Sequence, residues 1–292
     1  MAIVTRFAPS PTGPLHLGHV HAAHAAWQAA QPGGRFLLRL EDIDPQRCRA
    51  AYAAAMLEDL AWLGLHWDGP VRVQSAHLAE YQAVLAHLAA RGLAYPCFCS
   101  RADITRELAA SAAAPHAPDG APLYPGTCRA LAPAARQVRI VRGDPHAWRL
   151  DMAAALAVAP PGLGFHEASA GWVAAEPARF GDVVLGRRDA PASYHLCVTH
   201  DDALQGVTLV TRGEDLLPAT HLHVLLQHLM AWPTPRYAHH GLVLGPDGKR
   251  LSKRDGAAAI ASLRAAGLSP GEVMKKSRGS AGWGLRPQTP IF

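Results

Sequence analysis

Arg6-Phe7-Ala8-Pro9-Ser10-Pro11-Thr12-Gly13-Pro14-Leu15-His16-Leu17-Gly18-His19 is the stretch on which the fold turns. It starts inside a short apolar run, Ala2 to Phe7, that reads as a buried strand, and the segment Pro9 to Pro14 stops that strand abruptly. A helix is expected from about Leu17 to Ala30, ended by Gln31-Pro32-Gly33-Gly34. Arg35 to Leu40 reads as a second strand and runs into the acidic turn Glu41-Asp42-Ile43-Asp44-Pro45. Amphipathic spacing then predicts helices over roughly Arg47–Leu63 and Ala76–Arg91, the second with Ser75 as its N-cap. Strand alternating with helix in this way points to parallel βαβ units and an α/β fold.

Further along, the pattern changes. From Cys97 to about Pro191 one short helix, Arg101–Leu108, precedes a loose Ala/Pro/Gly stretch from Ala109 to Pro122. Short strands are expected at Val138–Val141, Trp148–Leu150 and Val183–Leu185, so this part reads as an α+β insertion. Buried strands are expected again at Tyr194–Thr199 and Val207–Thr211, then a helix from about Leu216 to Met230 and a last strand, Tyr237–Leu244. A glycine-flanked loop, Gly245–Gly256, follows. It leads to a helix over Ala257–Ala266, a short turn near Glu272 and an irregular tail, Lys275–Phe292. The expected organisation is a discontinuous α/β domain (1–96 and 192–247), an insertion (97–191) and a C-terminal stub (248–292).

Composition narrows the function class. The 292 residues are 49% hydrophobic and 17% charged, which supports a packed core and excludes wholesale disorder. The longest apolar stretch, Met152 to Phe165, is broken by Pro160-Pro161 and is too short for a bilayer. No charged start with an apolar run precedes Ile3-Val4, so the expectation is a soluble, cytoplasmic protein without a membrane partner. A net charge of +5 fits a polyanionic partner. Lysine is rare: Lys249, Lys253, Lys275 and Lys276 are the only ones, and two of them fall within one five-residue loop.

Three constellations carry chemistry. The first is His16-Leu17-Gly18-His19 at a strand-to-helix junction, where unpaired helix N–H groups favour a phosphate and two imidazoles three residues apart share a face. The second is Lys249-Arg250-Leu251-Ser252-Lys253-Arg254, clustered cations suited to neutralising triphosphate charge as it develops. The third is Cys97-Phe98-Cys99 with Cys128 beyond a loop, three thiols that can supply zinc ligands, with His116 or Asp119 able to complete the set. Cys48 and Cys197 read as ordinary buried residues, and an odd count of five argues against a disulfide framework.

Taken in order, the first two constellations resemble the HIGH and KMSKS signatures of class I aminoacyl-tRNA synthetases. Arg6 to Gly13, in its Phe7-Ala8-Pro9 form, is similar to the glutamyl branch, as are Phe36 to Asp44, Tyr194 and Arg212-Gly213-Glu214-Asp215, and the resemblance spans about residues 2–268. It implies a Rossmann-type parallel sheet split by an α+β insertion akin to an acceptor-binding domain, with a short KMSKS-bearing stub. It also implies His16, His19 and Lys253 as catalytic residues, and Gly18, Leu251 and Ser252 beside them at ATP, which enters with Mg²⁺ as substrate. Arg6, Ala8, Ser10, Glu41, Tyr194 and Arg212 are implied at glutamate. There, Arg6 and Arg212 would each offer a fork to a carboxylate, Glu41 would meet the ammonium, and Tyr194 and Ser10 would add neutral hydrogen bonds. One structural zinc is implied on Cys97, Cys99 and Cys128, with Tyr124 at the fourth position.

Only 38 residues follow Arg254 in the 292-residue chain, too few for a helical anticodon-reading domain with its own core. The pattern therefore resembles the stand-alone glutamyl-queuosine tRNA(Asp) synthetases. That implies ATP-dependent activation of L-glutamate without tRNA, then transfer to queuosine in the anticodon of tRNA(Asp), by an enzyme expected to be a monomer. Three other readings stand beside it: a truncated or split glutamyl-tRNA synthetase charging tRNA(Glu), a catalytically silent RNA-binding paralogue, and a different HIGH-type nucleotidyltransferase.

Overall fold

The computed structural model describes residues 2–109, 116–118, 120, 122–243 and 258–278. The chain opens with β1 (Val4–Phe7), α1 (Leu17–Ala29) and β2 (Arg35–Leu40), the two strands parallel from Val4↔Arg35 to Phe7↔Leu38. A parallel pair needs a crossover, and α1 supplies it. After α2 (Ala50–Trp62), the short β3 (Arg72–Val73) adds to β2, again parallel. Ser75, expected as the cap of the next helix, instead binds Asp42 through its N–H at 2.8 Å and its hydroxyl at 2.6 Å. A 3₁₀ turn over Gln74–His77 intervenes, and α3 runs from Leu78 to Ala90.

The chain then builds a second, antiparallel sheet. β4 (Ala94–Cys97) pairs with β5 (Ala147–Leu150) from Ala94↔Leu150 to Cys97↔Ala147, and β8 (Val184–Gly186) adds to β5. Between these strands lie α4 (Arg101–Ala109), α5 (Pro133–Val141), α6 (Met152–Ala157) and a hairpin of β6 (Gly164–Glu167) and β7 (Gly171–Ala174). The strand expected at Val138–Val141 is the last turn of α5. Pro133 at N1 starts that helix, and its good helix formers outweigh the β-branched run at its end.

The second half of the α/β domain follows: α7 (Tyr194–Leu204), β9 (Leu209–Gly213), α8 (Leu217–Leu229) and β10 (Arg236–His240). Here too a strand was expected, at Tyr194–Thr199, and a helix is found. Leu196 to Thr199, Asp201 and Asp202 are all buried, so no polar face shows the helical period, and an apolar run then reads equally well as either element. β9 and β10 are parallel, and β10 pairs with β6 at Tyr237↔Glu167. The hairpin 164–174, counted with the insertion in the sequence, thus extends the sheet of β9 and β10, with Phe165 buried against Leu37, Val210, Val224 and Tyr237. The two halves meet where Thr208 N donates to the Val4 carbonyl and Val4 N to Thr208 Oγ1, both at 2.9 Å.

Two short helices close the described chain, α9 (Ile260–Ala265) and α10 (Pro270–Ser277). The turn expected near Glu272 is this full helix, opened by a capping box in which Ser269 and Glu272 bond each other reciprocally. Ile260 and Val273 are fully buried in one cluster with Leu15, Val20, Ala23, Met56 and Leu60, so the stub completes the core around α1. Cys197 is buried as expected, whereas Cys48 is only half-buried, its thiol 3.9 Å from the Glu41 carbonyl. Among the described residues no helix is long and apolar enough to cross a membrane.

Candidate active site

α1 is capped by imidazole. His16 is the N-cap, and its Nδ1 accepts from Gly18 N at 3.1 Å, while Nδ1 of His19 accepts from His16 N at 3.2 Å. Two orphan N–H groups of the helix are satisfied in this way. A ring nitrogen that accepts a hydrogen bond carries no proton, so in each neutral ring the proton sits on Nε2. The rings lie 3.8 Å apart and both line the cavity described below. Gly18 makes the fold-back possible: a Cβ there would stand 3.1 Å from Cε1 of His16. The strand-to-helix junction is pinned from outside by an antiparallel bridge between His16 and Ala259 and by Ile260 N donating to the Leu15 carbonyl at 2.9 Å.

A cavity of about 430 Å³ opens over this junction, within the usual range for a small-molecule site. Arg6, Ala8, Ser10, His16, Gly18 and His19 line it from the β1–α1 side. Glu41, Tyr194 and Arg212 line it from the ends of β2 and β9 and the start of α7. Leu251, Ser252 and Lys253 lie outside the described residues, although Val243, a cavity residue, precedes their loop.

The charges around this cavity are arranged unequally. Arg6 binds Asp202 through Nε at 2.9 Å and Nη2 at 3.4 Å, and its Nη1 reaches the Thr211 carbonyl at 3.2 Å. The Nε–Nη2 edge of the guanidinium expected to offer a fork to a substrate carboxylate is therefore taken, leaving one N–H on each terminal nitrogen. Asp202 also binds Arg39, and Arg39 lies 3.8 Å from Asp201, which accepts from Arg72 at 2.8 Å, from Gln74 at 2.8 Å and from Tyr81 at 3.0 Å. Arg72 in turn meets Glu80 at 2.5 Å. Three guanidiniums thus alternate with three carboxylates, and each arginine is balanced.

Arg212 is bound differently. Its Nε donates to His239 Nε2 at 3.1 Å, Nη1 faces His223 Nδ1 at 3.2 Å, and Nη2 donates to Thr220 Oγ1 at 2.5 Å. All three partners are uncharged acceptors. Burial, reinforced by the Arg212 guanidinium, holds the His223 imidazole well below the usual histidine range. His239 is also lowered, chiefly by burial, against the pull of Glu167. Glu41 completes the ring of charges. Burial pushes its carboxyl up to about 7, with Arg39 and Arg6 pulling it down and Asp202 and Asp201 adding to the rise. Of its acidic neighbours, Asp42 anchors Ser75, and Asp44 holds Gln46 N and Arg47.

The thiols gather elsewhere, at the end of the antiparallel sheet. The sulfurs of Cys97, Cys99 and Cys128 lie within 4.8 Å of one another. The Tyr124 hydroxyl stands 3.4 Å from Cys99 Sγ and accepts from Cys128 N at 2.8 Å, with the Arg149 guanidinium 3.9 Å over its ring. His116 instead bridges Pro122 and is exposed, and Asp119 lies outside the described residues.

Comparison with known proteins sets this site in context. The family model "tRNA synthetases class I (E and Q), catalytic domain" matches residues 2–284. The chain belongs to this family. It is 49% identical over 284 residues to the Glutamyl-Q tRNA(Asp) synthetase of Rhodobacter capsulatus, covering 94% of this chain and 99% of that protein. It is 44% identical to the protein of the same name from Symbiobacterium thermophilum, over 92% and 83% of the two chains. Among solved structures it is similar to a glutamate tRNA ligase from Elizabethkingia meningosepticum in complex with its amino acid, with a TM-score of 0.73 at 30% identity. That match covers 88% of this chain and 53% of the ligase, so the chain spans about half of that longer protein. The fold is accordingly the class I synthetase catalytic domain, an α/β architecture with a parallel sheet.

Sequence reasoning passed over His21 and His240 in the cavity wall, and the residues bound to Arg6, Arg39, Arg212 and His239: Asp201, Asp202, Glu167, Thr220, His223 and His239 itself. One signal was available. An acidic doublet within the apolar run Leu196–Leu204 has to meet buried cations once that run is buried.

Proposed function

We propose that this protein activates L-glutamate with ATP and Mg²⁺, without tRNA, and transfers the glutamyl group to queuosine in the anticodon of tRNA(Asp). The observation that carries the amino-acid half is the charge layout: Arg212, which among the described residues has no acidic hydrogen-bond partner, and Glu41, a carboxyl, line one cavity. A carboxylate of glutamate meets Arg212 and its ammonium meets Glu41, while ATP phosphates lie at the N-terminus of α1 against the Nε2–H groups of His16 and His19. An oxygen of the glutamate α-carboxylate attacks the α-phosphorus, and pyrophosphate leaves with the bonding pair. Lys253 and the two histidines stabilise the growing phosphate charge. A hydroxyl of the queuosine cyclopentenediol then attacks the acyl carbon, AMP departs and the hydroxyl proton is released. The names of the relatives support the RNA half of this reading. On this reading the protein is a cytoplasmic monomer.

The test is transfer of labelled glutamate to queuosine-containing and queuosine-free tRNA(Asp), alongside tRNA(Glu). Label confined to queuosine-containing tRNA(Asp) is expected. Label on the 3′ end of tRNA(Glu), or pyrophosphate exchange that needs tRNA, overturns the assignment.

Glu41 makes the activation step pH-dependent. Its carboxylate has to be ionised to hold an ammonium, and with a pKa of about 7 it is protonated below neutrality. The KM for glutamate should therefore rise as pH falls from 8 to 6, approaching tenfold per pH unit below the midpoint. Above pH 8 it should level off. Glu41→Gln should have a high KM with no such slope, and a slope that survives the substitution refutes the role.

The thiol cluster fits one zinc, because three sulfurs and a phenol oxygen already converge there. Cys97, Cys99, Cys128 and Tyr124 would hold the ion, which would cross-link β4 to the loop carrying Cys128. About one zinc per chain is expected by metal analysis. Cys97→Ser should release it and lower thermal stability while leaving glutamate-dependent exchange within a few-fold, since no residue of the cluster lines the cavity. Protein prepared without chelators and found free of zinc refutes this.

A further inference from the structure

We infer that His239 and His223 hold the Arg212 guanidinium in place as neutral acceptors, and that Glu167 fixes the His239 tautomer this requires, making all three positioning residues for the substrate carboxylate. The inference rests on the glutamate reading given above. Its physical basis is that arginine only donates, so any ring nitrogen facing it has to accept. His239 presents Nε2 to Arg212 Nε at 3.1 Å, so its proton is on Nδ1, and Nδ1 lies 2.6 Å from Glu167 Oε2. The same carboxylate accepts from His239 N at 3.1 Å, which locks the ring plane to the backbone of β10. His223 presents Nδ1 to Arg212 at 3.2 Å, so its Nε2 carries the proton and donates to His195 Nδ1 at 3.1 Å. Glu167 and the His239 side chain are both about 2% exposed, so water cannot substitute for either contact.

The arrangement orients a buried cation without neutralising it. Arg6 and Arg39 are held by carboxylates directly, and little of their charge remains for a substrate. Arg212 is gripped just as fully through all three nitrogens, but the carboxylate of Glu167 stands one imidazole away rather than in direct contact. Glu167 belongs to the β6–β7 hairpin, so the seating of that hairpin against β10 sets the arginine that reads the amino acid.

The test combines kinetics with a readout that needs no substrate. In the full-length protein, His239→Leu should raise the KM for glutamate about ten- to hundredfold, and Glu167→Gln about three- to tenfold, with the KM for ATP unchanged. His239→Gln, which can still accept from Arg212 Nε, should recover most of the loss. Independently, the ¹⁵N imidazole spectrum of the wild type should show His239 protonated on Nδ1 and His223 on Nε2. In Glu167→Gln the His239 signal should shift toward tautomer exchange. The inference is overturned by the opposite tautomers, by a glutamate KM that does not move in folded His239→Leu, or by equal rises in both KM values. If His239→Leu fails to fold, Glu167→Gln and the spectrum decide. If the wild type shows no glutamate-dependent exchange, the glutamate reading fails while the spectrum still settles the tautomers.

Discussion

Arg212→Gln is expected to cut kcat/KM for glutamate in ATP–pyrophosphate exchange by roughly thirty- to several-thousand-fold, corresponding to the about 2–5 kcal/mol at stake in a desolvated charge pair. Activity with glutamine, poor in the wild type, should fall far less, so the gap between the two substrates narrows. The asymmetry follows from the charge layout. Arg6 already faces Asp202, whereas the partners of Arg212 are two imidazoles and a hydroxyl. Glutamine in place of glutamate offers that guanidinium an amide with N–H groups where an acceptor is needed. The substituted side chain is shorter and can satisfy only part of the His239, His223 and Thr220 set, so a modest drop in melting temperature should accompany the change. Competition assays in which the wild type uses glutamine nearly as well as glutamate would falsify the assignment. An unchanged preference in the variant would have the same force.

The second large effect is at His16. Its Nδ1 caps α1, which leaves the proton on Nε2, and the residue lines the cavity, so one side chain can do two separable things. Asparagine reproduces the first, because its carbonyl oxygen takes the Nδ1 position and it is among the best N-cap residues. It has no counterpart of Nε2–H. His16→Asn should therefore melt within a degree or two of the wild type while kcat for glutamate-dependent exchange drops by about two to three orders of magnitude. His16→Ala should lose the cap as well, about 1 kcal/mol of stability. Equal activity in the asparagine variant and the wild type would remove His16 from the chemistry.

The first forty residues were legible because each boundary is marked by its own local chemistry: prolines after Phe7, a glycine pair after Pro32, and a β-rich run beyond it. Legibility failed where burial erased the pattern. α7 is buried on nearly every side, so its unbroken run at Leu196–Thr199 shows no helical period, and the serine that caps it, Ser193, stands in front of a tyrosine rather than an obvious amphipathic run. α5 failed for the opposite reason, since none of its residues is fully buried and a β-branched end dominated the reading. At the cavity, residues within short motifs could be named from sequence, but their partners could not. Nothing local ties Arg6 to Asp202, 196 residues away, or His239 to Glu167, 72 residues away. Hence the sequence suggested two equivalent arginine forks, and only the three-dimensional pairing distinguishes them.

The alternating arginines and carboxylates beneath the cavity also bear on the order in which the molecule assembles. Arg39 is wholly enclosed and Arg6 nearly so, yet the acids that meet them, Asp201 and Asp202, are synthesised long after both strands. An emerging N-terminal segment holds β1, α1 and β2 with two guanidiniums bound for the interior, Glu41 close behind them, and neither of the aspartates that bind them. Closing its core at that stage would strand buried charge at a cost of several kcal/mol. The opening βαβ unit is therefore kept from settling prematurely, and the late, long-range docking of α7 and β9 becomes the step that commits the sheet. A nascent chain of this protein should stay sensitive to protease until Asp202 has cleared the ribosome.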